Sequence, residues 1–241
     1  MRSLKDKVVV ITGGSRGIGA AIAAVFAKEK ARLVICGRDR EALHETGRAL
    51  KLPRTSLLLI SSDISRPSGI NKIVEEACEH FGRIDIFINN AGVGGFKPLV
   101  DMSDEEFEYI FDVNVKAVYY SLKALLPRFD QQGGGQVICL SSMAAKAGGA
   151  NMAAYAASKA ALNVLCESVA AEVRDQNIKI CVLAPGSVET GFGGGHPHMS
   201  TSKNKMRLTA EEVAEAVLFL AKQNDNAWMS YTELRTLRTK K

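Results

Sequence analysis

Short runs of adjacent apolar residues, rich in Val, Ile and Leu, recur along the chain. They alternate with longer stretches in which apolar positions repeat every three or four residues. The runs at 7–12, 32–36, 56–60, 84–89, 136–140 and 179–183 read as strands, with a last strand at 230–237. Most are continuously apolar rather than alternating, the pattern of strands covered on both faces. Helical spacing fills 17–30, 39–51, 67–82, 103–130, 152–175 and 209–223. Strand and helix alternating throughout predict an α/β fold, a Rossmann-type doubly wound parallel sheet with helices on both faces. No repeat or Pro/Ser-rich linker interrupts the alternation, and Gly133 to Gly135 read as a tight entry into a strand, so 1–241 reads as one domain. The polar, Gly-rich stretch 186–207 is too long for an ordinary connection and is the candidate substrate loop.

Composition narrows the function classes. Of 241 residues, 46% are hydrophobic and 24% charged, which excludes a disordered chain. No apolar run approaches the length of a membrane helix, and the run at 8–11 is too short for a leader core. The five cysteines form no CxxC pair and the four histidines no HExxH, so neither a disulfide framework nor a zinc site is expected. A reduced, cytoplasmic setting follows as the default. The net charge of +5 is concentrated at 235–241, which carries Arg235, Arg238, Lys240 and Lys241 with no acid; the rest balances to +1. That is a solvated basic tail, not a nucleic-acid surface.

Candidate chemistry begins after the first strand, at Thr12-Gly13-Gly14-Ser15-Arg16-Gly17-Ile18-Gly19. A pyrophosphate needs backbone N–H groups at close range and a helix N-terminus aimed at it, and glycines permit both the turn and the approach. A second cluster is Tyr155 and Lys159, placed at i and i+4 on one helix face. A free phenol is a poor acid or base at neutral pH. A cation about 4 Å away would bring its pKa down toward the working range. Ser141 and Ser142 follow the strand 136–140, where strand ends face the ligand crevice of an open parallel sheet. Asn114 lies inside a predicted helix, where asparagine is a poor former.

These motifs together resemble the short-chain dehydrogenase/reductase family, and matches run in order through 5–223. TGGSRGIG resembles its cofactor motif, Asn89-Asn90-Ala91-Gly92 its NNAG motif, and Pro185-Gly186-Ser187-Val188-Glu189-Thr190 its PGxVxT motif. Asn114, Ser142, Tyr155 and Lys159 match the catalytic positions, and the thirteen-residue spacing to Tyr155 selects Ser142 over Ser141. The resemblance implies hydride transfer between a nicotinamide cofactor and a small-molecule carbonyl. Tyr155 would be the general acid, with Ser142 steadying the substrate oxygen. Lys159 would lower the phenol pKa and hold ribose hydroxyls, while Asn114 holds a water of the proton relay. The cofactor would touch Gly13, Ser15, Arg16, Gly17, Ile18, Gly19, Asp63 at the adenine, Asn90, Ala91, Gly92, Pro185, Gly186, and Val188 and Thr190 at the carboxamide. It also implies a homo-oligomer, dimer or tetramer, with helices 103–130 and 152–175 at the interface.

Cofactor choice rests on charge. A carboxylate at the end of the second strand holds a 2′-hydroxyl, whereas a 2′-phosphate needs cations. This strand ends Ile35-Cys36-Gly37-Arg38, and Arg16 stands before the second motif glycine. Two guanidiniums can clamp one phosphate, which predicts NADP(H). Asp39 either opposes that choice or caps the following helix. The pattern is most similar to 3-oxoacyl-acyl carrier protein reductases, but Trp228-Met229-Ser230-Tyr231-Thr232-Glu233-Leu234-Arg235 stands where those close with a Gly-rich strand. Two rival readings are an NADP(H) sensor without turnover and an NAD-dependent alcohol dehydrogenase. In the loop, His196, His198, Lys203 and Lys205 read as solvated side chains.

Overall fold

A computed structural model describes residues 1–192 and 207–237. The middle of the substrate loop, 193–206, and the tail end, 238–241, lie outside the described residues, and with them His196, His198, Lys203, Lys205, Arg238, Lys240 and Lys241. The strands are β1 (Val8–Thr12), β2 (Arg32–Gly37), β3 (Leu57–Ser61), β4 (Ile86–Asn89), β5 (Gly135–Leu140), β6 (Ile178–Pro185) and β7 (Tyr231–Leu234). They form one seven-stranded sheet in the order β3-β2-β1-β4-β5-β6-β7. Every neighbouring pair is parallel. The order reverses between β1 and β4, which opens a crevice at the C-terminal ends of the strands.

The continuous apolar strands have a direct cause. Val8 and Val10 point into one core, with α3 (Pro67–Phe81), α5 (Ala117–Gln131) and α6 (Ala153–Glu172). Val9 and Ile11 point into the other, with α1 (Gly17–Lys28), α2 (Arg40–Leu50) and α7 (Ala210–Ala221). Both faces are covered, so both sets of alternate positions are mostly apolar. Each buried Val or Ile contributes about 1.5–3 kcal/mol.

The helix ends follow local chemistry. Asp39 caps α2 by accepting from the Ala42 N–H at 3.1 Å, which settles the role of that carboxylate. Capping boxes start α4 (Asp104–Phe111), through Ser103 and Glu106, and α7, through Thr209 and Glu212. Gly82, at φ 81°, ends α3. Gly133 and Gly134 enter β5 with φ of 83° and 135°.

Three expectations are corrected. The single helix expected over 103–130 is α4 and α5 joined by a π turn, Asp112–Lys116, around Asn114. β7 is half the length expected, because only Tyr231–Leu234 has a partner in β6. Arg235 in the basic tail is not simply solvated: its guanidinium donates to Glu233 at 2.7 and 2.9 Å. Among the described residues no helix is long and apolar enough to cross a membrane.

Candidate active site

The glycine turn forms a tight cradle between β1 and α1. Gly13 and Gly17 have φ of 65° and 54°, where a side chain is strained. A Cβ on Gly19 would fall 2.1 Å from the Gly13 carbonyl oxygen and 2.6 Å from Asn90 Nδ2. Unlike α2, α4 and α7, helix α1 has no capping side chain and no acid in its first turn. Its leading N–H groups therefore lack a carboxylate or hydroxyl of the chain, the arrangement suited to a phosphate pair. Ser15, Arg16 and Ile18 lie on this turn; Arg16 is exposed at the N-cap, and Ile18 packs against the second core.

Asn90 ties the loop after β4 to that cradle. Its Nδ2 donates to the Thr12 carbonyl at 2.8 Å and the Gly13 carbonyl at 3.1 Å. The N–H groups of Asn90 and Ala91 both donate to Thr12 Oγ1. Two residues on, Gly92 lies where a Cβ would meet Asn114 Oδ1 at 3.2 Å and Lys159 Nζ at 3.4 Å.

The π turn gives Asn114 its place. Its Nδ2 donates to the Val93 carbonyl at 2.9 Å and Ser158 Oγ at 3.0 Å, and its Oδ1 accepts from the Val93 N–H at 2.9 Å. The Asn114 side chain is thus a brace between the β4 loop and α6.

Ser141 and Ser142 separate cleanly. Ser141 Oγ donates to Asn163 on α6 at 2.6 Å, whereas Ser142 makes a hydrogen bond to Tyr155. Ser142 Oγ also accepts from the Ala144 N–H at 3.1 Å, which fixes its rotamer. Lys159 is 4% exposed and donates to the Leu140 carbonyl at 2.8 Å. The Tyr155 ring lies under two aromatic neighbours that the sequence did not reveal, Phe96 at 5.4 Å and Phe192 at 5.8 Å between centroids.

This packing corrects the expected electrostatics. Burial pushes the Tyr155 phenol above its ordinary range, while the Ser142 hydrogen bond pulls the other way. Burial also lowers Lys159 to about 8. The Lys159 Nζ lies 6.0 Å from the Tyr155 ring centroid and is held on a carbonyl. In the chain's own field, desolvation outweighs the Ser142 hydrogen bond.

The loop after β6 faces the cradle. The nearest approach of a Cβ on Gly17 is to Thr190 Cγ2, at 3.5 Å. Pro185 ends β6, and the Gly186 N–H donates to the Leu234 carbonyl at 2.8 Å. Val188 bridges Leu208, and its carbonyl accepts from the Thr190 N–H at 3.0 Å. Asp63 is exposed after β3, with its carboxylate accepting from the Ser65 N–H at 3.1 Å. The expected pair of arginines is not shown as one clamp. Arg38 Nη1 donates to Tyr109 Oη on α4, and Arg16 is exposed at the N-cap of α1.

A family model described as short chain dehydrogenase matches residues 7–199. The chain belongs to the short-chain dehydrogenase family. Among curated relatives, an uncharacterized oxidoreductase of Staphylococcus epidermidis is 30% identical over 235 residues, 98% of this chain and 99% of its own. Among solved structures, an alcohol dehydrogenase from the archaeon Thermococcus sibiricus, complexed with 5-hydroxy-NADP, is similar at TM-score 0.89 and 31% identity. The match covers 98% of this chain and 99% of that one. A metagenomic short-chain oxidoreductase in complex with NADP is similar at TM-score 0.85 and 34% identity, covering 98% and 100%. A nicotinamide dinucleotide is therefore the cofactor class, and the glycine cradle fits it: a Cβ at Gly19 would occupy backbone space.

The buried lysine of this short-chain dehydrogenase has a measurable signature. Its folded pKa, about 8, lies below the ordinary 10.5. Below pH 8 both folded and unfolded states hold the proton and the burial penalty is complete. Between the two values the unfolded chain holds more protons, so stability rises with pH. Relative to Lys159→Met, the wild type is expected to gain up to about 3 kcal/mol across that window, read by urea denaturation at several pH values. A flat difference would contradict the lowered pKa.

Proposed function

We propose that this chain is an NADPH-dependent oxidoreductase that reduces a ketone, 3-oxoacyl compounds included. The observation that carries the reading is the grouping of Tyr155, Ser142 and Lys159 beside the glycine cradle at the C-terminal edge of the sheet. When bound, the dinucleotide supplies the hydride. The chain's part is the proton and the geometry. A phenol raised by burial enters protonated at neutral pH, as a general acid must. Ser142 steadies the substrate oxygen, and Tyr155 delivers its proton as that oxygen becomes an alkoxide. Lys159, anchored on Leu140, then stabilises the phenolate left behind and reaches toward ribose hydroxyls. Phe96 and Phe192 keep water from the phenol.

Gly37 and Arg38 support NADP(H): the position that would repel a 2′-phosphate carries no acid, and a guanidinium follows it. The other acid nearby, Asp39, is committed to a helix cap. A homo-oligomer fits the exposed Tyr119 on α5 and Val164 on α6.

The test follows NADPH and NADH consumption with a panel of ketones, for wild type and Arg38→Ala. Ketone-dependent oxidation of NADPH is expected, and Arg38→Ala should reduce the preference for NADPH over NADH by about ten- to a hundredfold. Equal use of both coenzymes by the wild type would remove the phosphate reading. Tight cofactor binding with no turnover on any carbonyl would favour a sensor instead.

A further inference from the structure

Arg38 leaves the C-terminal end of β2, and Tyr109 stands on α4, the helix after β4. In the sheet, β1 and its glycine cradle lie between those two strands. The Arg38 side chain crosses this gap. Its Nη1 donates to Tyr109 Oη, and its Cζ lies 5.8 Å from the centre of the Tyr109 ring. The pair thus ties the end of β2 to α4, with β1 lying between β2 and β4 in the sheet.

Both ends of the bridge are fixed. The Arg38 carbonyl accepts from Ser61 Oγ at 3.2 Å, and Asp39 is tied into the α2 cap. Tyr109 is half-buried on a helix started by a capping box and stopped by the π turn at Asp112–Lys116. What remains free is the long Arg38 side chain, and the phenol removes much of its rotamer freedom before any ligand arrives.

The partner's chemistry matters as much as its position. Helix α4 is acidic, and two of its four carboxylates, Glu106 and Glu108, pair with lysines. Glu106 pairs with Lys97 at 2.6 Å, and Lys116 takes Asp112 at 2.6 Å and Glu108 at 3.5 Å. Arg38 is met by a neutral hydroxyl. A carboxylate in its place would neutralise the guanidinium and compete with an incoming phosphate, whereas a phenol orients it and leaves its charge available.

We propose that Tyr109 is a positioning residue for cofactor discrimination: it presets Arg38 for the 2′-phosphate of NADP(H). This rests on Arg38 being the phosphate ligand, and the test separates the two claims. NADP+ and NAD+ affinities are measured by calorimetric titration on wild type, Tyr109→Phe, Arg38→Ala and the double variant. Tyr109→Phe keeps the ring and loses only the hydroxyl. It is expected to weaken NADP+ about tenfold, the effect of losing one hydrogen bond to a charged group, and to leave NAD+ unchanged. In the Arg38→Ala background the same change should have no effect on NADP+, because the hydroxyl acts only through the guanidinium. Unchanged or tighter NADP+ binding by Tyr109→Phe would overturn the proposal, as would equal losses for both coenzymes or a loss that persists without Arg38. If Arg38→Ala itself binds NADP+ like the wild type, the phosphate role of Arg38 fails, and the proposal with it.

Discussion

Tyr155→Phe is expected to lower kcat/KM for NADPH-dependent ketone reduction by about 10²- to 10⁴-fold, the span of one general acid. The substitution removes a single oxygen. The ring keeps its contacts with Phe96 and Phe192, so the fold and the apolar cluster are retained. Two groups lose their partner: Ser142 loses its hydrogen bond, and Lys159 loses the phenolate it would stabilise. Among the described residues nearby, Ser141 is committed to Asn163 and Lys159 donates to the Leu140 carbonyl. The measurement is steady-state NADPH oxidation on the best ketone of the panel, with NADP+ affinity alongside. Activity should fall while affinity stays within a few-fold. Equal activity in the two proteins would remove Tyr155 from the chemistry.

Gly19→Ala is expected to weaken NADP+ binding about a hundredfold, as if two charge-assisted hydrogen bonds were lost. The same change should cost about 1–3 kcal/mol of stability by overpacking. The added methyl would fall 2.1 Å from the Gly13 carbonyl oxygen, a backbone atom that cannot rotate away. Relief requires the turn to open. That moves the Gly13 carbonyl off Asn90 Nδ2 and disturbs the tie between the cradle and the β4 loop. Thermal melts and NADP+ titration read the two effects separately. A variant that binds NADP+ like the wild type would show that the cradle does not hold the pyrophosphate.

The candidate site was legible in the sequence where a feature is local. The glycine turn shows because the positive φ at Gly13 and Gly17 favours glycine. Tyr155 and Lys159 show because four residues make one helical turn. Asn114 was conspicuous as a poor helix former, and the chain does answer it with a π turn. Its partners, Val93 and Ser158, were not legible, since they lie 21 and 44 residues away. Ser158 carries a faint signal, three residues beyond Tyr155, whose carbonyl it reaches. Phe96 and Phe192 carry none: a phenylalanine in a loop looks the same whether it packs on a phenol or on the core.

The order of strands and helices, and the two-sided covering of the sheet, follow from periodicity. Side-chain alternation and helical pitch are properties of the backbone itself. The sign of the Tyr155 shift follows from tertiary packing, because desolvation depends on which groups displace water, and those come from distant segments. The same holds for Arg38, whose partner Tyr109 lies 71 residues on. An arginine's charge is written in the sequence, but its direction is set by whatever the fold brings within reach.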